Sequence, residues 1–146
     1  KSAARGCAEA QRLLGWQYLW GLWSCPKDPR RSECYLRKAA MQGDAMAMLH
    51  LGQLYEEDRP GMPRDGKQAL KYYKMAANRA RIGGAYQGVG RIYEKGIGVP
   101  VDIEEAVKWY RLSADASNAW GVHSLHRLGM DTSDYPEYLH HGCDLF

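Results

Sequence analysis

The chain has 146 residues, with 20 Lys and Arg against 17 Asp and Glu and a formal net charge of +3 at pH 7. That length suits one domain with its own core, and so slight a charge excess gives no ground for nucleic acid as a partner. No apolar run approaches the roughly 20 residues that a membrane-spanning helix needs, which excludes a helical span.

The charge is uneven. Residues 1–40 hold eight basic and three acidic side chains, whereas residues 113–146 hold one basic and five acidic ones, so a basic and an acidic end are expected. The first residue is Lys1, which leaves both a cleaved leader and a longer parent chain open.

In chain order, the first predicted helix runs over 3–20 and is dense in tryptophan, with Trp16 and Trp20 inside it and Trp23 just beyond. Tyr18 occupies the core position there, so at least one of these indoles points elsewhere, either as an interface anchor or as a cover for an open end of the core. Asp28 before Pro29 announces a second helix over 29–40, because a carboxylate caps free backbone N–H groups and proline fits the first helical position. Ala45, Met48, Leu51 and Tyr55 recur at three- and four-residue spacing and mark one face of a helix over 44–57. Asp65 with Gln68, and Asp102 with Glu105, have capping-box spacing ahead of helices over 66–78 and 103–115. Between these lies a helix over 81–95, which ends in the Gly96 and Gly98 turn; helices over 118–129 and 134–142 close the chain.

The segments repeat. Asp28, Asp65 and Asp102 are spaced by 37 residues, as are Tyr35, Tyr72 and Trp109, and Ala40, Ala77 and Ala114. A Leu-Gly or Val-Gly step recurs at Leu14-Gly15, Leu51-Gly52 and Val89-Gly90, followed three residues later by Tyr18, Tyr55 and Tyr93. A degenerate fourth copy is read through Leu128-Gly129. Each mid-helix glycine costs ~1 kcal/mol relative to alanine, so its recurrence implies a second helix at close range, carrying the aromatic pair. One such helical pair cannot bury its own apolar stripe, and stacking several makes a continuous core. The predicted fold is all-α: a right-handed superhelix of antiparallel helix pairs in a single domain, with units of about 3–40, 41–77, 78–114 and 115–146.

Chemistry is thinly represented. No Lys-Ser/Thr follows the Gly96 loop as a phosphate-binding loop requires, and no serine lies in a Gly-x-Ser-x-Gly elbow. His123 and His126 share a helix face without a third ligand in register. The expectation is therefore no enzyme, no catalytic residue, no metal and no cofactor. Cys25 and Cys34 are close enough in sequence to pair, with free thiols as the alternative; Cys7 and Cys143 fall at opposite ends of the stack and are expected unpaired.

The stretch from Ala40 to Ala77, with its Leu-Gly-x-x-Tyr step, and its echo with the Gly-x-Gly-Val-Pro loop, the capping Asp102 and the Ala-x-x-Trp-Tyr helix, resemble the Sel1-like repeat family, relatives of the tetratricopeptide repeats. The resemblance covers roughly residues 3–130; the first unit departs in its loop "GLWSCPKDPRRSEC", the second in "DRPGMPRD". It implies a scaffold whose concave side holds a protein partner. Among bacterial members it implies an immunity protein that neutralises a secreted toxic effector, such as a type VI secretion phospholipase. The alternatives are a signalling or host-interaction adaptor and a cysteine-rich protein that binds or hydrolyses β-lactams. A Cys25–Cys34 disulfide suits the periplasm or a secreted location, with the cytoplasm as the alternative. The positions between consensus ones encode specificity, and they nominate Trp16, Trp20, Met46, His50, Gln53, Tyr86 and Arg91 as the partner-binding row. Trp16, Gln53 and Arg91 each follow a repeat glycine and are expected to align.

Overall fold

The structure, a computed structural model, describes residues 2–21 and 26–135. Seven helices occupy them: α1 (Ser2–Trp20), α2 (Pro29–Met41), α3 (Ala45–Glu56), α4 (Gly66–Arg79), α5 (Gly83–Lys95), α6 (Ile103–Asp115) and α7 (Ala119–Arg127). Among the described residues the single departure from helix and loop is an isolated bridge between Arg59 and Met62. Most of the expected closing helix over 134–142 lies outside the described residues, and its first two residues, 134 and 135, form a turn and a bend.

Helices α1/α2, α3/α4 and α5/α6 form tightly packed pairs, stacked in series through α2 on α3 and α4 on α5, with α7 packed on α6. The first helices of successive units also touch one another, α1 to α3 to α5 to α7. The second helices do not: no Cα of α2 comes within 8 Å of α4, nor of α4 with α6. The stack therefore curves with α1, α3, α5 and α7 on its inner side.

The caps begin each helix as the residue types dictate. Asp28 accepts from Arg31 N, Asp44 from Ala47 N, Asp65 from Gln68 N and Asp102 from Glu105 N, all within 3.1–3.2 Å. The capping boxes themselves do not close. Instead the N–H groups of Asp28, Asp65 and Asp102 donate to the carbonyls of Tyr18, Tyr55 and Tyr93, each at 2.9 Å. The returning chain thus satisfies the orphan carbonyl of the preceding helix, which leaves the side chains of Gln68 and Glu105 without a role at the cap. Glu105 takes a bond from Lys108 at 3.2 Å, and the buried Gln68 Oε1 has no protein partner.

The repeat glycines pay off as close approaches. A Cβ on Gly52 would stand 2.7 Å from the Tyr73 ring, one on Gly90 2.7 Å from Tyr110, and one on Gly15 2.6 Å from Leu36. A Cβ on Gly88 would also meet the Tyr73 ring at 2.7 Å, so that ring lies between two helices that lack side chains at the contact. The Gly96 and Gly98 turn reverses the chain, both residues in the left-handed region at φ 69° and 73°. The core runs unbroken from Ala8 to Ile97, and Tyr93 joins it to a second cluster of Ala106, Tyr110, Ala114, Val122 and Leu125.

The fourth unit is out of the expected register. Leu51, Val89 and Leu125 each lie seven residues after their caps, Asp44, Ile82 and Asn118, and all three are fully buried. Leu125-His126 therefore holds the Leu-Gly slot. Gly129 has φ 79° just beyond α7, where its N–H and that of Met130 bond back to His126 and Leu125: it stops the helix rather than packing inside one.

Candidate protein-binding face

On the inner side, α1 and α3 bound a groove of about 300 Å³ lined by Arg12, Leu13, Trp16, Met46 and His50. Three of the expected partner-binding residues, Trp16, Met46 and His50, meet there. The groove is apolar because Leu13 and Met46 project at neighbouring positions of adjacent first helices, 49% and 37% exposed. Its polar edge is fixed: Arg12 Nε donates to Asp44 Oδ2 at 3.1 Å, tying α1 to the start of α3. His50 is largely buried, its Nδ1 is 3.1 Å from Gln53 Oε1, and burial holds its pKa below the usual histidine value, so the ring is neutral near pH 7.

A second, polar groove of about 370 Å³ follows between α3 and α5, with Trp20, Gln53, Glu57, Arg91 and Lys95 on its walls. Trp20 is 44% exposed, which is the outward-pointing indole the sequence demanded. Trp23 lies outside the described residues.

Arg91 and Tyr86 differ from what the sequence reading assumed. Arg91 is engaged within the fold: its guanidinium grips both Glu56 oxygens, with Nη2 to Oε1 at 2.6 Å. Tyr73 Oη donates to the same carboxylate at 2.6 Å. Tyr86 is 9% exposed and tilts against Trp109 with ring centroids 6.1 Å apart, so it belongs to the contact between α5 and α6.

The Arg91–Glu56–Tyr73 arrangement recurs one unit later. Arg127 takes Glu94 with both terminal nitrogens at 2.6 and 2.7 Å, and Tyr110 Oη donates to Glu94 at 2.6 Å. Neither clasp was read from the sequence. The signal is the helix register, since Arg91 and Arg127 each lie nine residues after their caps, Ile82 and Asn118. The first boundary lacks the clasp altogether: Leu19, Leu36 and Gln53 stand at the three corresponding positions, and both leucines are buried.

Among the described residues there is no group of three or more His, Cys, Asp or Glu side chains placed to share a metal ion. No described helix is long and apolar enough to cross a membrane. Cys7 and Cys34 are exposed; Cys25, the expected partner of Cys34, lies outside the described residues, as does Cys143.

The Sel1 repeat model matches this chain at residues 8–44, 45–80 and 84–118. Chitin synthase regulatory factor 3 of Schizosaccharomyces pombe is 38% identical over 98 residues, which are 66% of this chain and 10% of that protein. A protective antigen of uropathogenic Escherichia coli with an SLR fold superposes with a TM-score of 0.72 at 38% identity, over 81% of this chain and 25% of that one. A Sel1 repeat protein from Oxalobacter formigenes follows at 0.69 and 30% identity, over 81% of this chain and 47% of that one. Cysteine-rich protein B of Helicobacter pylori gives 0.63 at 21% identity, over 86% of this chain and 93% of that one, and shows the shared fold alone. The chain thus spans a tenth of its curated relative and less than half of the two more similar structures.

Proposed function

Since the chain belongs to the Sel1 repeat family, a fold suited to protein–protein interaction, we propose that it is a non-catalytic scaffold that holds a protein partner on its inner face, seated in the groove between α1 and α3. The observation that carries this reading is the apolar strip of Leu13, Trp16 and Met46, left uncovered between two helices and bordered by the polar groove of α3 and α5. Burying a side chain against Trp16 and Met46 supplies affinity, and the charged groups beyond supply orientation. Arg91 is not an anchor in this proposal, because moving it toward a partner would strand Glu56.

The finer form of the proposal is that the partner is a secreted toxic effector neutralised by stoichiometric binding in the periplasm, and that a Cys25–Cys34 disulfide fixes the first loop there. Its support is the family resemblance. A toxin reading frame adjacent to that of this chain, whose product co-purifies with it, is the expected result; a partner encoded elsewhere in the genome makes the chain an adaptor. Non-reducing peptide mapping tests the disulfide.

The groove is tested by quantitative capture of partner from cells of the native host. Trp16→Ala/Met46→Ala should keep the helical circular dichroism and lose at least about 2 kcal/mol, roughly thirtyfold in dissociation constant. Undiminished capture would place the partner elsewhere.

A further inference from the structure

The second helices carry a surface of different character. Helix α2 holds Arg30, Arg31, Arg37 and Lys38 against one acid, Glu33, and α4 holds Lys67, Lys71, Lys74 and Arg79 with no acid at all. The rest of the sequence holds twelve basic and sixteen acidic residues, so the net charge of +3 is the work of these two helices. Within the uneven charge of the chain, positive charge is concentrated on the second helices of the first two units.

Between α2 and α4, which do not touch, lies an outer groove of about 140 Å³ lined by Arg37, Ala40, Met41, Tyr72 and Met75. Met41 is 87% exposed and Met75 37%. Lys67, Lys71 and Met75 follow at four-residue intervals along one face of α4, and Lys38 lies three residues before Met41 on α2. Two of the ammonium groups lie over aromatic rings: Lys38 Nζ is 5.7 Å from the Tyr35 centroid, and Lys71 Nζ is 5.6 Å from that of Tyr72. None of Lys38, Lys67 and Lys71 has a carboxylate partner among the described residues. The pattern stops at α6, where Glu104 and Glu105 fill the first turn and Lys108, the counterpart of Lys71, is tied to Glu105 at 3.2 Å.

From this we propose that the outer groove between α2 and α4 is a second docking site, independent of the inner face, for an acidic protein segment carrying an apolar anchor. The lysines attract the acidic residues, and the two methionines, flexible and polarizable, adapt to the anchor. A peptide is favoured over nucleic acid because the cations flank a thioether-lined groove instead of tracking a continuous backbone, and because the aromatic ring that lines it, Tyr72, is already stacked on Tyr55 and covered by Lys71.

The full-length chain is titrated into a fluorescein-labelled, glutamate-rich peptide bearing two leucines one helical turn apart, and anisotropy is read. Saturable binding is expected, weakening as salt rises. Lys38→Glu/Lys71→Glu should weaken it at least about tenfold, and Met41→Ala/Met75→Ala about fivefold, with the melting temperature unchanged; Trp16→Ala should leave it unaltered. The proposal is overturned by absence of saturable binding into the high micromolar range, by equal binding of a peptide with alanines for the leucines, or by indifference to the lysine reversal. It is likewise overturned if single-stranded DNA or phosphatidylserine vesicles bind this surface more tightly than the peptide does.

Discussion

Arg91 on α5 closes a bidentate ion pair with Glu56 at the end of α3, across the boundary between two units, and Tyr73 of the intervening helix donates to the same carboxylate. Glu56 is nearly buried, so each of its partners compensates for desolvation as well as adding attraction. At the first boundary the corresponding positions are Leu19, Leu36 and Gln53, without charge, and both leucines are buried.

Arg91→Gln should therefore cost about 2 kcal/mol, because it leaves a buried carboxylate half-satisfied. The triple variant Glu56→Leu/Tyr73→Phe/Arg91→Gln removes the whole clasp at similar volume and should cost less than the single change. Urea denaturation of both variants checks the order, and a triple variant less stable than the single one would mean the clasp contributes more than it demands.

Two glycines of one helix should respond with opposite signs. Gly84→Ala places its Cβ no closer than 3.8 Å to Leu49 and should stabilise by about 0.5–1 kcal/mol through helix propensity. Gly88→Ala drives its Cβ to 2.7 Å from the Tyr73 ring and should cost ~2 kcal/mol. Thermal unfolding of the two variants decides, and equal effects would contradict the close approach.

The Glu94 carboxyl is held below the usual glutamate range by its hydrogen bonds from Arg127, with burial opposing and Tyr110 assisting. A depressed folded pKa means the contribution is present in full above the unfolded value and is lost as pH falls through the folded one. Stability should fall as pH is lowered from about 5 toward 3, and Glu94→Gln should flatten that slope. A slope identical to that of the parent chain would remove Glu94 from the account.

Asp102→Ala should cost about 1 kcal/mol by removing the cap on α6. The bond from the N–H of residue 102 to Tyr93 survives the change, so α6 should shorten little in its hydrogen-exchange protection.

The helices were legible because caps and apolar spacing are local: Asp28, Asp65 and Asp102 mark starts whatever packs above them. The glycine steps at 15, 52 and 90 also foretold which helices touch, since a small residue kept mid-helix needs a neighbour. The fourth unit misled because Leu128-Gly129 copies the dipeptide without its position, and only the cap at Asn118 sets the register. Arg91 was legible as a variable position but not as a bonded one, because its partner Glu56 lies 35 residues away on another helix, where sequence spacing carries no direction. For the same reason Met41 and Met75, in separate units, gave no sign of a shared groove.

The inner-face account is tested most directly by a photocrosslinking amino acid placed at position 46, and separately at the exposed loop position 101, in the full chain within its native host. A discrete protein adduct from position 46 and none from position 101 is the predicted result. No adduct from position 46, or the same adducts from both positions, would contradict a partner seated between α1 and α3.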